Sequence, residues 1–355
     1  MITNLTSLCV GPESSINQTL VQLGISAKGI VLVVDSEMRL LGTVTDGDMR
    51  RGVLAGVDHE KPVTELLARS GSTRPISAPE GTEPATLLAM LRDNSIRHIP
   101  LIDHEHKVVA LAIIDDFVPD PGPALQAVIM AGGLGQRLRP LTEEVPKPML
   151  PVGDRPLLES MLEQLSGAGI NLIKLVTNYK KEVISNYFGN GASFGVEIQY
   201  VEEDQPLGTA GGLGLLEASD KPLLVINGDI LTKVDFRAMA DFHRDNKADM
   251  SVAVKEQEFQ IPYGVVETDG LRITGILEKP VMRHFINAGI YLLNSELRRY
   301  IPAAQAYDMT DLIERVLKDG CNVVSFPIHE YWLDIGQHED YAQAQDDAAR
   351  EKAKP

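Results

Sequence analysis

From about residue 125 onward, short apolar runs alternate with mixed stretches. The apolar runs are Ala127–Met130, Leu172–Thr177, Val196–Tyr200, Leu223–Ile226, Met250–Val254 and Gly289–Leu293. Runs of this length predict strands, and segments such as Pro156–Ser166, Glu182–Phe188 and Phe236–Asp245 predict helices between them. The alternation predicts an α/β unit, a mostly parallel sheet with helices on both faces. Such sheets bind substrates beyond the carboxyl ends of their strands.

Before that region the pattern repeats itself. Gly29–Asp35 (GIVLVVD) and Leu40–Asp48 (LLGTVTDGD) are echoed by Arg97–Asp103 (RHIPLID) and Val108–Asp116 (VVALAIIDD), at an offset of 68 residues. Each half predicts helix, strand, tight turn, strand, helix, and two such units stack to share a core. Pro119-Asp120-Pro121-Gly122-Pro123 then breaks regular structure and stiffens a connector. The predicted division is residues 1–118, a linker over 119–124, and 125–355.

Composition narrows the function classes. The chain has 355 residues, 44% hydrophobic and 23% charged, ordinary for a soluble globular protein. A net charge of −17 argues against a nucleic-acid partner, though not against an anionic substrate held by local positive charge. Two cysteines far apart, Cys9 and Cys321, indicate no disulfide or zinc framework and suit a reducing cytoplasm. No apolar run approaches membrane-spanning length, and the first residues do not read as a signal peptide. The histidines show no metal-ligand spacing, and His104-Glu105-His106 falls in a predicted solvated turn.

The chemistry concentrates where the first apolar run ends. Ala131 leads into Gly132, Gly133 and Gly135, followed by Arg137 and, within Pro146-Lys147-Pro148, by Lys147. Glycines let backbone N–H groups crowd onto anionic oxygens, and Arg and Lys add full charges beside them. Neither the dinucleotide fingerprint nor the P-loop pattern fits this spacing. The stretch from Ala127 to Leu158 resembles the signature of sugar-1-phosphate nucleotidyltransferases, and the resemblance extends over most of residues 125–345. It implies a Rossmann-like mixed sheet of the GT-A-like nucleotidyltransferase type.

The resemblance also assigns roles. Glu203, Pro206, Gly208 and Thr209 fall in the nucleoside-recognition segment, joining the loop residues Ala131, Gly132, Gly133 and Gly135 on the nucleotide. Asp229, at the end of Leu224–Asp229, and Asp334, in Trp332-Leu333-Asp334-Ile335-Gly336, would bind Mg²⁺. Tyr263, Gly264, Glu278, Lys279 and Asn287 would hold the sugar phosphate. Arg137 and Lys147 are the expected catalytic cations. The implied reaction is sugar 1-phosphate plus NTP giving NDP-sugar and pyrophosphate.

Residues 1–118 resemble a tandem pair of cystathionine-β-synthase (CBS) domains, an α+β Bateman module that often binds adenine or guanine nucleotides and dimerises. Its ligand turn is kept as Thr45-Asp46-Gly47-Asp48, with Thr45 and Asp48 as the nucleotide contacts, whereas the second copy has Ile113 in place of the threonine. The same Thr-Asp pair also reads as a helix cap. A homo-oligomer is expected from this module. The combination resembles CBS-fused guanylyltransferases of legionaminic acid-type nonulosonate pathways, implying GTP and a glucosamine-type sugar. Uridylyl or thymidylyl transfer to glucose 1-phosphate, guanylyl transfer to mannose 1-phosphate, and a non-catalytic NDP-sugar sensor are the alternatives.

Overall fold

The computed structural model describes residues 1–69, 75–118 and 122–353. The chain divides into two compact units, Met1–Pro121 and Gly122–Pro355. Of the expected linker, residues 119–121 lie outside the described residues.

In the first unit, β1 (Cys9–Val10), β2 (Ile30–Val34) and β3 (Leu40–Thr45) form one sheet. A second sheet holds β4 (Ala78–Pro79), β5 (His98–Ile102) and β6 (Val108–Ile113). The helices are α1 (Ile16–Ser26), α2 (Asp46–Leu54), α3 (Thr64–Arg69) and α4 (Pro84–Asp93). The offset of 68 residues holds in three dimensions. Val10 pairs with Val33 as Ala78 pairs with Leu101. The Asp35 carboxylate accepts from the N–H groups of Glu37 and Arg39, and Asp103 from Glu105 and Lys107. Met38 and His106 take left-handed φ values of 65° and 62° in the two turns. The halves share a core in which Leu8, Ile30 and Leu32 meet Val108 and Leu111.

One expectation fails at the end of the second half. Thr45 caps α2: its hydroxyl accepts from the Asp48 N–H at 3.2 Å, and Asp48 Oδ2 accepts from the Thr45 N–H at 2.9 Å. Ile113 has no hydroxyl to offer, and the expected closing helix is a single 3₁₀ turn, Ile114–Asp116.

The second unit begins with β7 (Gln126–Met130), a small hairpin β8 (Pro151–Val152) and β9 (Arg155–Pro156), and α5 (Leu157–Gly167). It continues through β10 (Leu172–Thr177), α6 (Lys181–Phe188), β11 (Glu197–Glu202), α7 (Gly208–Gly211), β12 (Leu223–Asn227), β13 (Ile230–Thr232) and α8 (Phe236–Asp245). Then come β14 (Met250–Gln260), β15 (Val265–Asp269), β16 (Arg272–Leu277), β17 (Val281–Leu293), α9 (Met309–Lys318), β18 (Val323–Ile328), β19 (Trp332–Asp334) and α10 (His338–Lys352).

The main sheet has seven strands in the order β11-β10-β7-β12-β17-β14-β18, and only β17 runs antiparallel to its neighbours. Alternate residues of β7 feed opposite cores, as strand geometry requires. Ala127 and Ile129 pack with Leu158, Leu162, Phe236 and Met239 of α5 and α8. Val128 packs with Ala210, Leu213, Met309 and Leu312 on the other face. Asp235 caps α8 by accepting from the N–H groups of Arg237 and Ala238. The chain leaves β7 toward β10 on one side and reaches β12 on the other, so the carboxyl ends of β7 and β12 flank a topological switch point.

β14 and β17 run well past their expected ends, pairing out to Gln260 and Val281 as an arm that carries the β15–β16 hairpin. The arm's residues are mostly exposed, so they lack the apolar run that marks a core strand. Among the described residues, no helix is long and apolar enough to cross a membrane.

Candidate active site

At the end of β7 the Ala131 N–H donates to the Val176 carbonyl at 2.8 Å, which keeps the chain in register before it turns. Gly135 then takes φ 60°, and a side chain there would strike Thr142 Cγ2 at 2.9 Å. The Thr142 hydroxyl donates to the Gly135 carbonyl at 2.8 Å and closes the loop. Pro146 leads into a 3₁₀ turn, Lys147–Met149, that starts with a largely buried Lys147 side chain.

β12 delivers the second half. The Gly228 N–H donates to the Met130 carbonyl at 2.9 Å, tying the ends of β7 and β12 together. Lys147 Nζ donates to Asp229 Oδ2 at 2.6 Å. Asp334 arrives through the short antiparallel ladder of β13 and β19, where it pairs with Ile230. The Ile335 N–H donates to the Asp229 carbonyl at 3.0 Å. Two aspartates remote in sequence thereby converge.

Their mutual effect is electrostatic. Burial pushes the Asp334 carboxyl above the usual range and the Asp229 charge adds to this, while Lys147 and Arg137 oppose it. Asp334 is exposed to solvent, which screens these effects and weakens the shift while leaving its direction. Two carboxylates held in mutual repulsion form a hard-oxygen donor set that a divalent cation such as Mg²⁺ relieves. The residues present therefore fit the ion.

A cleft of about 240 Å³ opens at this point. Nine expected residues line it: Ala131, Gly132, Gly133, Lys147, Glu203, Pro206, Gly208, Thr209 and Asp229. Met130, Pro148, Leu207, Asn227 and Gly228 also line it and were not singled out from sequence, although Asn227 and Gly228 immediately precede Asp229. Glu203 is only 9% exposed. Burial pushes its carboxyl pKa up, and a Leu207 N–H bond holds it down in part. Its Oε1 is buried without a hydrogen-bond partner. Gly132 makes room for it, since a Cβ there would meet Glu203 Oε2 at 2.7 Å.

Other expected residues stand off the cleft lining. Arg137 Nη1 and Asp334 Oδ1 lie 3.9 and 3.7 Å from the position a Gly336 Cβ would take. Tyr263, Gly264, Glu278 and Lys279 sit at the far end of the arm. Tyr263 is 75% exposed, and Glu278 Oε2 approaches the Cβ position of Gly264 at 3.3 Å. Asn287, on β17, accepts from the Gly289 N–H at 3.1 Å and hydrogen bonds the Tyr291 hydroxyl, which itself feels the Asp229 charge.

Comparison with known proteins agrees with this geometry. Residues 126–351 match the family model described as nucleotidyl transferase. A mannose-1-phosphate guanylyltransferase of Mycobacterium tuberculosis is 35% identical over 235 residues, covering 64% of this chain and 65% of that protein. A mannose-1-phosphate guanyltransferase of Candida albicans is 34% identical over 228 residues, covering 61% and 62%. The chain thus spans less than two thirds of the length of these relatives. Among solved structures, HddC from Yersinia pseudotuberculosis, solved also in complex with GMP-PN, superposes with a TM-score of 0.50 at 28% identity. That match covers 63% of this chain and 99% of HddC. UDP-glucose pyrophosphorylase from Acinetobacter baumanii shares the fold at 23% identity, with a TM-score of 0.51 over 65% of this chain and 95% of that one. With the loop, the paired aspartates and the family match in agreement, the chain belongs to the nucleotidyl transferase family.

Proposed function

We propose that the chain transfers a guanylyl group from GTP to a sugar 1-phosphate, releasing pyrophosphate. The observation that carries this reading is the convergence of Lys147, Asp229 and Asp334 beside the glycine loop. Such a set suits positioning and charge stabilisation rather than covalent catalysis.

The N–H groups of Gly132, Gly133 and Gly135, with Arg137, hold the triphosphate. At Gly133 a Cβ would meet no protein atom, so this side of the loop is open to what enters the cleft. Lys147 is oriented by Asp229 and turns its charge to the α-phosphate and the incoming sugar phosphate. An oxygen of the sugar phosphate, already anionic at neutral pH, attacks the α-phosphorus. The new P–O bond forms as the bond to the bridging oxygen breaks, and pyrophosphate leaves with that electron pair. No proton is transferred, so no general base is needed. Asp229 and Asp334 would hold Mg²⁺, which when bound supplies positive charge to the phosphates. Tyr263, Gly264, Glu278, Lys279 and Asn287 are assigned to the acceptor sugar phosphate, brought from the arm.

Glu203 supports guanine as the base. A carboxylate only accepts, and guanine offers adjacent N1–H and N2–H₂ donors. Uracil and thymine place carbonyl oxygens on both sides of their single N–H, which a carboxylate repels. The oxygen on the cleft side is Oε2, which lies against the cleft-lining Gly132. A glucosamine-type sugar follows from the sequence resemblance, and the names of the relatives support mannose 1-phosphate as its rival.

Residues 1–118 are assigned as a CBS pair controlling residues 125–355 through a nucleotide effector, in a cytoplasmic homo-oligomer. The matching register of the two halves supports the pair. Thr45 and Asp48 are spent on the α2 cap, so an effector at that turn must work around these bonds.

The test is pyrophosphate release from GTP, UTP, dTTP, CTP and ATP, each with glucosamine, N-acetylglucosamine, mannose and glucose 1-phosphates. Preference for GTP bears out the reading. Preference for UTP or dTTP overturns the base assignment. Nucleotide-sugar binding without release from any pair favours a sensor.

A further inference from the structure

The segment lining the cleft at Leu207–Thr209 is gripped by a loop remote from it in sequence. The Thr209 N–H donates to Asp308 Oδ1 at 3.0 Å, and the Thr209 hydroxyl reaches the same oxygen at 3.3 Å. In return, the Thr209 hydroxyl accepts from the Met309 N–H at 2.8 Å. Two helix starts thus cap each other: Asp308 serves α7, and Thr209 serves the first turn of α9. Backbone bonds reinforce the grip. The Tyr307 carbonyl accepts from the Ala210 and Gly211 N–H groups at 3.0 and 2.9 Å, and the Tyr307 N–H donates to the Leu207 carbonyl at 2.8 Å. The fit is close enough that a Cβ at Gly208, where φ is 78°, would lie 2.5 Å from Asp308 Oδ1.

We infer that Asp308 is a positioning residue that presets the Leu207–Thr209 backbone against Glu203 and so sets nucleotide affinity and base selection. The inference rests on the nucleotidyl-transfer reading of this cleft. Thr209 then acts through its hydroxyl toward Asp308 and Met309 rather than toward the nucleotide. Preset backbone groups lose no ordering entropy when a base docks, which is where the gain in affinity arises.

The experiment is calorimetric binding of GTP and of UTP to the purified full chain, with KM for the best acceptor sugar 1-phosphate measured alongside. Asp308→Ala is expected to weaken GTP binding by about tenfold and narrow the GTP-to-UTP ratio, leaving the acceptor KM unchanged. Asp308→Asn keeps an acceptor oxygen and is expected to restore both. GTP affinity and selectivity in Asp308→Ala equal to wild type would overturn the inference, as would equal losses in Asp308→Asn and Asp308→Ala. If Asp308→Ala does not fold, Thr209→Val tests the other half of the clamp, with the same loss expected and no change contradicting it. A wild-type chain that binds neither nucleotide refutes the reading of the cleft, and the inference with it. A wild type that binds and discriminates while Asp308→Ala does so equally refutes the clamp alone.

Discussion

Lys147 and Asp229 meet at 2.6 Å between Nζ and Oδ2, across 82 residues of chain. The contact does two things. It neutralises part of a carboxylate pair that would otherwise repel, and it holds an ammonium group beside the glycine loop. The Gly228–Met130 backbone bond ties the ends of β7 and β12 beside this contact.

Lys147→Ala should therefore lower kcat far more than it raises KM for the nucleotide. Loss of a charge that acts on the transition state costs on the order of a hundredfold in kcat. Steady-state kinetics with the nucleotide varied decides the point, and a change confined to KM would remove Lys147 from the bond-making step.

Asp334→Asn should abolish turnover and at the same time raise the melting midpoint. Removing the charge beside Asp229 relieves repulsion in the folded state, the sign expected of a group whose carboxyl is pushed up, and the gain is small because Asp334 is exposed to solvent. Added Mg²⁺ should raise the midpoint of wild type and leave this variant unmoved. Asp229→Asn should also abolish turnover, but it should lower the midpoint, because it strips the largely buried Lys147 of its partner.

The glycine loop and the strand-end Asp229 were legible because each is continuous in sequence. The approach of Asp334 was not derivable from spacing, since it depends on the three-residue β13–β19 ladder, and only the family resemblance pointed to it. The β14–β17 arm was missed because its outer residues alternate without burial. Asp308 was missed for a different reason. In sequence it is an ordinary residue ahead of an amphipathic helix, and only the fold reveals that its carboxylate caps Thr209.

Glu203→Gln should shift base preference from guanine toward uracil or thymine. An amide presents a donor and an acceptor where the carboxylate presents acceptors alone. The GTP-to-UTP ratio of kcat/KM should fall by at least about tenfold. An unchanged ratio would place base selection elsewhere.

The first unit should lose stability on acidification. Burial holds the His98 imidazole down at about 4, while its bond to the Lys28 carbonyl at 2.7 Å partly opposes that shift. The unfolded chain thus binds the proton more readily than the folded one. Stability is full above the ordinary histidine pKa of about 6.5 and declines as pH falls from there toward 4. Melting curves between these limits should show the loss, and His98→Gln should flatten it. A wild-type midpoint independent of pH across this window would contradict the assignment.

Nucleotidyl transfer is proposed for the Lys147–Asp229–Asp334 constellation. The most direct measurement is the mass of the product formed from GTP and a sugar 1-phosphate, with Mg²⁺ or with chelator, by wild type and Asp229→Asn. A GDP-sugar formed in step with pyrophosphate, only by wild type and only with Mg²⁺, is the predicted result. The same product from Asp229→Asn, or undiminished formation in chelator, would contradict it.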